Sequence, residues 1–267
     1  MNNRVLSVDC GSSHSLALVR TEEGNTLVVS WGRGEDGQLG HGDPDEKVVP
    51  HAIYQLIQAK ISDIYCGAEY SVAVSREDMK IYTWGWGDFG RLGHSNCNDV
   101  FLPSPIESLS GVKIQSVSCG DTHTLVITDG GKVMSFGRNQ NGQLGIGTID
   151  DSYQPREVSS LNQEFVTAIS CGAEHSICCT KEGKVFSWGW GRYGNIGDGE
   201  TIDRHTPVLV KGLDGVKIEK VACGWRHSIA IDRSGAVYSW GWSKYGQLGH
   251  GDQLYVHCSL IRKLYCT

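Results

Sequence analysis

Four Cys-Gly-x-x-His elements carry the residue types best suited to metal chemistry: Cys10/His14, Cys119/His123, Cys171/His175 and Cys223/His227. A structural zinc site needs four such ligands converging on one point. The second copy replaces His with Tyr70, and the pairs are distributed along the chain one per repeat. That pattern predicts a structural role, each His bonding to a neighbouring repeat, and no metal. The Gly-x-x-Gly-x-Leu-Gly stretches are not phosphate loops, because they lack the Gly-Lys-Ser/Thr that would hold phosphate and magnesium. No Ser/His/Asp arrangement or carboxylate pair rises above the repeat background, so no catalytic residue is expected and the chain is read as a non-enzyme.

The tryptophans and charges are more informative. Trp225 is unique, since its position in the other copies holds Ser12, Ala68, Asp121 or Ala173. It lies in a turn beside Arg226. Trp86, Trp190 and Trp242 stand two residues beyond a tryptophan that recurs as Trp31, Trp84, Trp188 and Trp240, with Phe136 in the third copy. The recurrent residue reads as core. On a strand, two residues further keeps the same face but approaches the loop end. An aromatic and cationic cluster of Trp225, Arg226, Trp190 and Trp242 is therefore expected at a rim. It suits protein contact, cation–π stabilisation or light absorption by indole. The same rim carries Glu35, Asp36, Asp88, Asp99, Asp121, Arg138, Glu174, Arg192, Arg226 and Lys244. Acids gather in the early copies and bases in the later ones. Such a face is either a solvated rim or self-complementary about a twofold axis.

These residues are positioned by one unit written five times. The Cys-Gly pairs begin at Cys10, Cys66, Cys119, Cys171 and Cys223, spaced 56, 53, 52 and 52 residues apart. The glycine-rich ends fall at 34–40, 87–93, 139–145, 191–197 and 243–249. A constant period near this length marks a repeat array or propeller. In the third copy, Val112–Ser118, His123–Thr128, Lys132–Gly137 and Gln154–Val158 read as four strands joined by turns. Pro50, Pro103, Pro155 and Pro207 mark an outer strand, where proline is tolerated. Four antiparallel strands make one propeller blade. The expected fold is all-β, with about five four-stranded blades over residues 1–252 and the ring not closed. Residues 253–267 diverge, with Leu254–Leu264 an imperfect last strand. An unclosed fan leaves strand edges exposed.

Composition agrees. The 267 residues include 35 Gly, placed periodically as turns, and the formal net charge is −6. That charge gives no support to nucleic-acid or chromatin contact. No run of about 18 apolar residues exists to span a membrane, and the N-terminus is too short and polar for a signal peptide. Five of the ten cysteines share one repeat position, which reads as reduced core thiols.

Trp-Gly-Arg-Gly-Glu-Asp-Gly-Gln-Leu-Gly-His-Gly-Asp at 31–43 resembles the regulator-of-chromosome-condensation repeat family of seven-bladed propellers. Gly85–His94, Gly137–Gly145, Gly189–Gly194 and Cys223–His227 are more specifically similar to its plant UV-B photoreceptor branch. That resemblance implies a dark homodimer in which tryptophans themselves absorb UV-B, with no added cofactor. Excitation breaks Arg–carboxylate and cation–π contacts, and the monomers signal through protein partners in cytoplasm and nucleus. It implies Trp225 as chromophore, Arg226 as its interface arginine, and Trp86, Trp190 and Trp242 as peripheral tryptophans. It implies Asp88, Asp99, Arg138, Glu174 and Arg192 as interface charges. Two further Gly-Trp-Arg-His elements and the tail that engages a ubiquitin ligase are absent here. The chain is therefore expected to be a truncated, weakly active or inactive form. The alternative is a non-photoactive scaffold for protein–protein contact. Guanine-nucleotide exchange ranks lower, because the even spacing leaves no room for an inserted wedge.

Overall fold

The computed structural model describes residues 4–255 and 262–264. Its strands form five antiparallel sheets of four, each a simple meander. Blade 1 holds β1 (Arg4–Cys10), β2 (His14–Arg20), β3 (Thr26–Gly32) and β4 (Lys47–Ala52). Blade 2 holds β5 (Asp63–Cys66), β6 (Tyr70–Ser75), β7 (Lys80–Gly85) and β8 (Val100–Pro105). Blade 3 holds β9 (Ile114–Cys119), β10 (His123–Thr128), β11 (Val133–Gly137) and β12 (Ser152–Glu157). Blade 4 holds β13 (Val166–Cys171), β14 (His175–Thr180), β15 (Val185–Gly189) and β16 (Arg204–Leu209). Blade 5 holds β17 (Ile218–Cys223), β18 (His227–Asp232), β19 (Val237–Gly241) and β20 (Arg262–Leu264). The last strand expected from the divergent segment is thus β20, paired with β19; residues 256–261 of that segment lie outside the described residues. All four outer-strand prolines fall in β4, β8, β12 and β16.

The first strands of successive blades neighbour one another around an axis. The Cys-Gly turns of all five blades line one axial funnel of about 330 Å³. Apolar side chains of adjacent sheets interdigitate between blades, as where Leu16 and Leu18 meet Ile64, Ala73 and Trp84. Trp84, Trp188, Trp240 and Phe136 are fully buried, each on the preceding blade. A tryptophan that buries about 150–250 Å² contributes roughly 4–6 kcal/mol of apolar transfer energy before entropy is counted.

The glycine-rich loop receives that ring. A Cβ at Gly40, Gly145 or Gly197 would stand 2.7–2.8 Å from the indole nitrogen of Trp84, Trp188 or Trp240. The indole N–H then donates to a backbone carbonyl of the same loop: Gln38 at 3.0 Å, Gln143 at 2.9 Å and Asn195 at 2.9 Å. The loop motif is therefore architecture.

The histidines bolt blade to blade. Nε2 of His14 meets Ser71 Oγ at 2.9 Å, His123 meets Ser176 at 2.9 Å, and His175 meets Ser228 at 3.0 Å. Each serine donates its own proton to Gln38, Gln143 or Asn195 carbonyl oxygen, at 2.8, 2.8 and 2.9 Å. The imidazole Nε2–H is therefore the donor to the serine. Burial holds these rings neutral, pushing His14 down to about 4 and His123 and His175 to about 3. Tyr70 replaces the bolt in blade 2, its hydroxyl donating to the His123 carbonyl at 2.8 Å.

The ring is open between blades 5 and 1. Trp31, His227, Ile229 and Ile231 are half-buried, although their equivalents inside the array are buried. Among the described residues no disulfide forms, and no three His, Cys, Asp or Glu side chains are grouped to hold a metal ion. Burial pushes the Cys66, Cys119 and Cys171 thiols well above their ordinary range, and Cys223 up to about 12. Such thiols are poor nucleophiles.

Candidate functional site on the glycine-loop rim

The turn after the third strand of each blade projects onto one rim. Gly85, Gly137, Gly189 and Gly241 end those strands with φ between 97° and 111°. A Cβ at any of them would lie within 3.0 Å of a backbone carbonyl oxygen in the preceding turn. The next residue therefore leaves the sheet at a fixed angle. That residue is Trp86, Arg138, Trp190 or Trp242.

In blades 4 and 5 these residues converge. The ring centroids of Trp225 and Trp242 are 5.6 Å apart, edge to face. Tyr193 lies edge-on to Trp190 at 5.2 Å and stacks on Trp242 at 6.1 Å. Tyr245 meets Trp242 at 5.5 Å. The Arg226 guanidinium is held between indoles, 4.0 Å from the Trp225 centroid and 4.5 Å from that of Trp190. It also reaches Tyr193 at 5.6 Å. Trp225 remains 52% and Tyr245 73% exposed. Among the described residues no carboxylate lies within salt-bridge distance of Arg226 or Lys244.

Trp86 does not join this group. It lies over Arg91, whose Cζ is 3.9 Å from the indole centroid. Arg91 is fully buried. It donates to the backbone carbonyls of Asp88 at 3.0 Å and Asp121 at 3.1 Å, and its Nη2 has no partner. Burial lowers its pKa, opposed by Tyr70, Asp88, Asp121 and Asp99, but a guanidinium stays charged. Arg138 lies over Phe89 at 5.0 Å, so two cations flank that ring.

The acidic side of the rim is partly balanced within the chain. Arg33 reaches Glu35 at 2.6 Å, Asp36 at 3.4 Å and Glu69 at 3.8 Å. Asp99 accepts the Gly87 N–H at 2.8 Å, and Glu174 accepts from Asn141 at 3.3 Å. Arg192 stands 4.0 Å from Asp203. Desolvation at the funnel mouth, then the charge of Glu174, raises the Asp121 carboxyl. Asp36 is raised too, by burial first and by Glu69 and Asp99 against the pull of Arg33.

Three residues escaped the sequence reading, and the repeat register marks two of them. Arg91 stands where the other copies have Gln38, Gln143, Asn195 and Gln247. Tyr193 shares its position with Phe89 and Tyr245, just before the second loop glycine. Arg33 was likewise passed over, and it softens the acid–base division of the rim.

A family model described as the RCC1-like domain matches residues 1–263. The chain belongs to the RCC1-like domain family. It is 49% identical over 249 residues to the ultraviolet-B receptor UVR8 of Arabidopsis thaliana, covering 93% of this chain and 56% of that protein. It is 39% identical over 248 residues to the human E3 ubiquitin-protein ligase HERC2, covering 92% of this chain and 5% of that protein. This RCC1-like chain thus spans about half the length of UVR8 and a small part of HERC2. Human WBSCR16 superposes with a TM-score of 0.85 at 24% identity, over 99% of this chain and 68% of that one. Yeast RCC1 (Prp20), in its complex with Kap60, superposes with a TM-score of 0.73 at 24% identity, over 89% and 56%. These structures establish the RCC1-type propeller for this chain.

Proposed function

We propose that the rim of this RCC1-like propeller is a UV-B-absorbing docking surface through which two copies associate. The observation that carries this reading is the Arg226 guanidinium between the Trp190 and Trp225 rings, with no carboxylate in salt-bridge distance among the described residues. Indole absorbs UV-B directly, so no cofactor is required. Excitation redistributes the ring's electron density and weakens the cation–π contacts that hold Arg226 in place, each worth ~0.5–2 kcal/mol. The likeness to UVR8 supports the same reading.

The basic, aromatic blades 4 and 5 would face the acidic rim of a second copy, where Asp88 and Asp99 of blade 2 and Asp121 of blade 3 form no ion pair among the described residues. Single exposed pairs contribute ~0–1 kcal/mol. The association therefore rests on several pairs and weakens as salt rises. The test is size-exclusion chromatography with light scattering at low and high salt, in the dark and under UV-B. Loss of mass with salt and with light supports the reading. A monomer indifferent to both sinks it. That monomer would favour a scaffold that binds other proteins.

A further inference from the structure

Blades 2, 3 and 4 each close the glycine-rich loop with an aspartate. Asp99 accepts the Gly87 N–H at 2.8 Å, Asp151 the Asn139 N–H at 2.8 Å, and Asp203 the Gly191 N–H at 3.1 Å. The acceptor always follows the donor by 12 residues. In blade 5 the same offset from Ser243 leads to Tyr255. A phenol cannot replace that carboxylate, and the buried Ser243 hydroxyl has no partner among the described residues.

The tyrosine is used elsewhere. Its ring stacks on Tyr193 of blade 4 at 5.2 Å and 9° between planes. Tyr193 is the hub of the rim cluster, touching Trp190, Trp242 and the Arg226 guanidinium. The substitution thus trades an anchor within one loop for a clamp between two blades.

We propose that Tyr255 is a positioning residue for the indole cluster. It clamps Tyr193 from the solvent side and so fixes the mutual orientation of Trp190, Trp242 and Arg226. Aromatic pairs of this kind are orientation-dependent, which is why one added ring fixes the others. The functional meaning of the clamp rests on the UV-B reading, but the clamp itself does not.

The test uses the full 267-residue chain in the dark, as Tyr255→Phe and Tyr255→Asp. The aspartate restores the anchor that three other blades use, so it probes the clamp without opening the loop. Tyr255→Leu serves if the aspartate variant lowers the thermal midpoint. Near-UV circular dichroism reports ring coupling, and iodide quenching reports exposed indoles. Tyr255→Phe should preserve both signals. Tyr255→Asp should lose more near-UV ellipticity than one tyrosine supplies, and iodide should quench more emission. Unchanged spectra in both the aspartate and leucine variants would overturn the proposal. Altered spectra in a chain that ignores UV-B would uphold the clamp and refute the photoreceptor reading. A UV-B response untouched by Tyr255→Asp, with unchanged spectra, would refute the clamp alone.

Discussion

Ser15 and Ser228 hold the same repeat position, and only one of them faces a histidine. Ser228 is buried and accepts the His175 Nε2–H at 3.0 Å while donating to Asn195 O at 2.9 Å. Ser15, on the open face of blade 1, is half-buried, and its hydroxyl lies 3.7 Å from the Cys10 thiol. Replacing Ser228 by Ala strands the His175 Nε2–H in the interior. The Asn195 carbonyl keeps the Trp240 indole donor, so one buried group loses its partner outright. An unsatisfied buried donor costs about 1–3 kcal/mol. For a chain of this length that lowers the thermal midpoint by roughly 2–4 °C per kcal/mol. Ser15→Ala removes no bolt and should stay within about 0.5 kcal/mol of the parent, as surface substitutions usually do. Urea denaturation of the two variants, followed by far-UV circular dichroism, measures the difference. Equal losses would refute the claim that the Cys-Gly-x-x-His element exists to join blades.

The remaining predictions concern charge. The three bolted histidines are neutral in the fold, with pKa lowered from 6.5 to about 4 for His14 and about 3 for His123 and His175. Their stability is present above pH 6.5 and falls as the unfolded chain takes up protons below it. The loss is about 2 kcal/mol per histidine by pH 5. Stability measured by urea titration at pH 7 and pH 5 should show it, and a flat profile would exclude the buried neutral form. Arg91→Gln installs the residue found at positions 38, 143 and 247 and removes a buried cation. The already raised Asp121 pKa should then climb further, read by carboxyl-carbon NMR. Arg226→Ala should change the emission of the exposed tryptophans, whereas Lys244→Ala, whose Nζ lies 5.3 Å from the Tyr245 ring, should leave it nearly constant.

The fold was legible because its period is long, regular and punctuated by residues with one physical use each. Trp-Gly places a blade-packing ring before a positive-φ exit, and the final loop glycine receives the next blade's indole. Strand ends were less legible. The first and third strands of blade 3 begin at Ile114 and Val133 rather than Val112 and Lys132, because the turn before each is fixed by backbone bonds that composition does not reveal. At the site, the meeting of Trp225, Arg226, Trp190 and Trp242 follows from their loop positions. The separation of Trp86, in blade 2, follows from the same register, but its contact with Arg91 does not, since that depends on a buried cation rising beneath it from the same loop. Tyr255 was illegible for another reason. It lies in a segment read as divergent, and its meaning appears only when the 12-residue hydrogen-bond offset of the other blades is known.

The most direct test of the rim reading is the light-scattering mass of the parent chain beside Trp225→Phe, in the dark and under UV-B at low salt. The parent should show a dark mass above that of the 29.1 kDa chain and lose part of it under UV-B, while Trp225→Phe keeps its mass. An identical response in both proteins, or none in either, would contradict the assignment of light absorption to the Trp225–Arg226–Trp190 group.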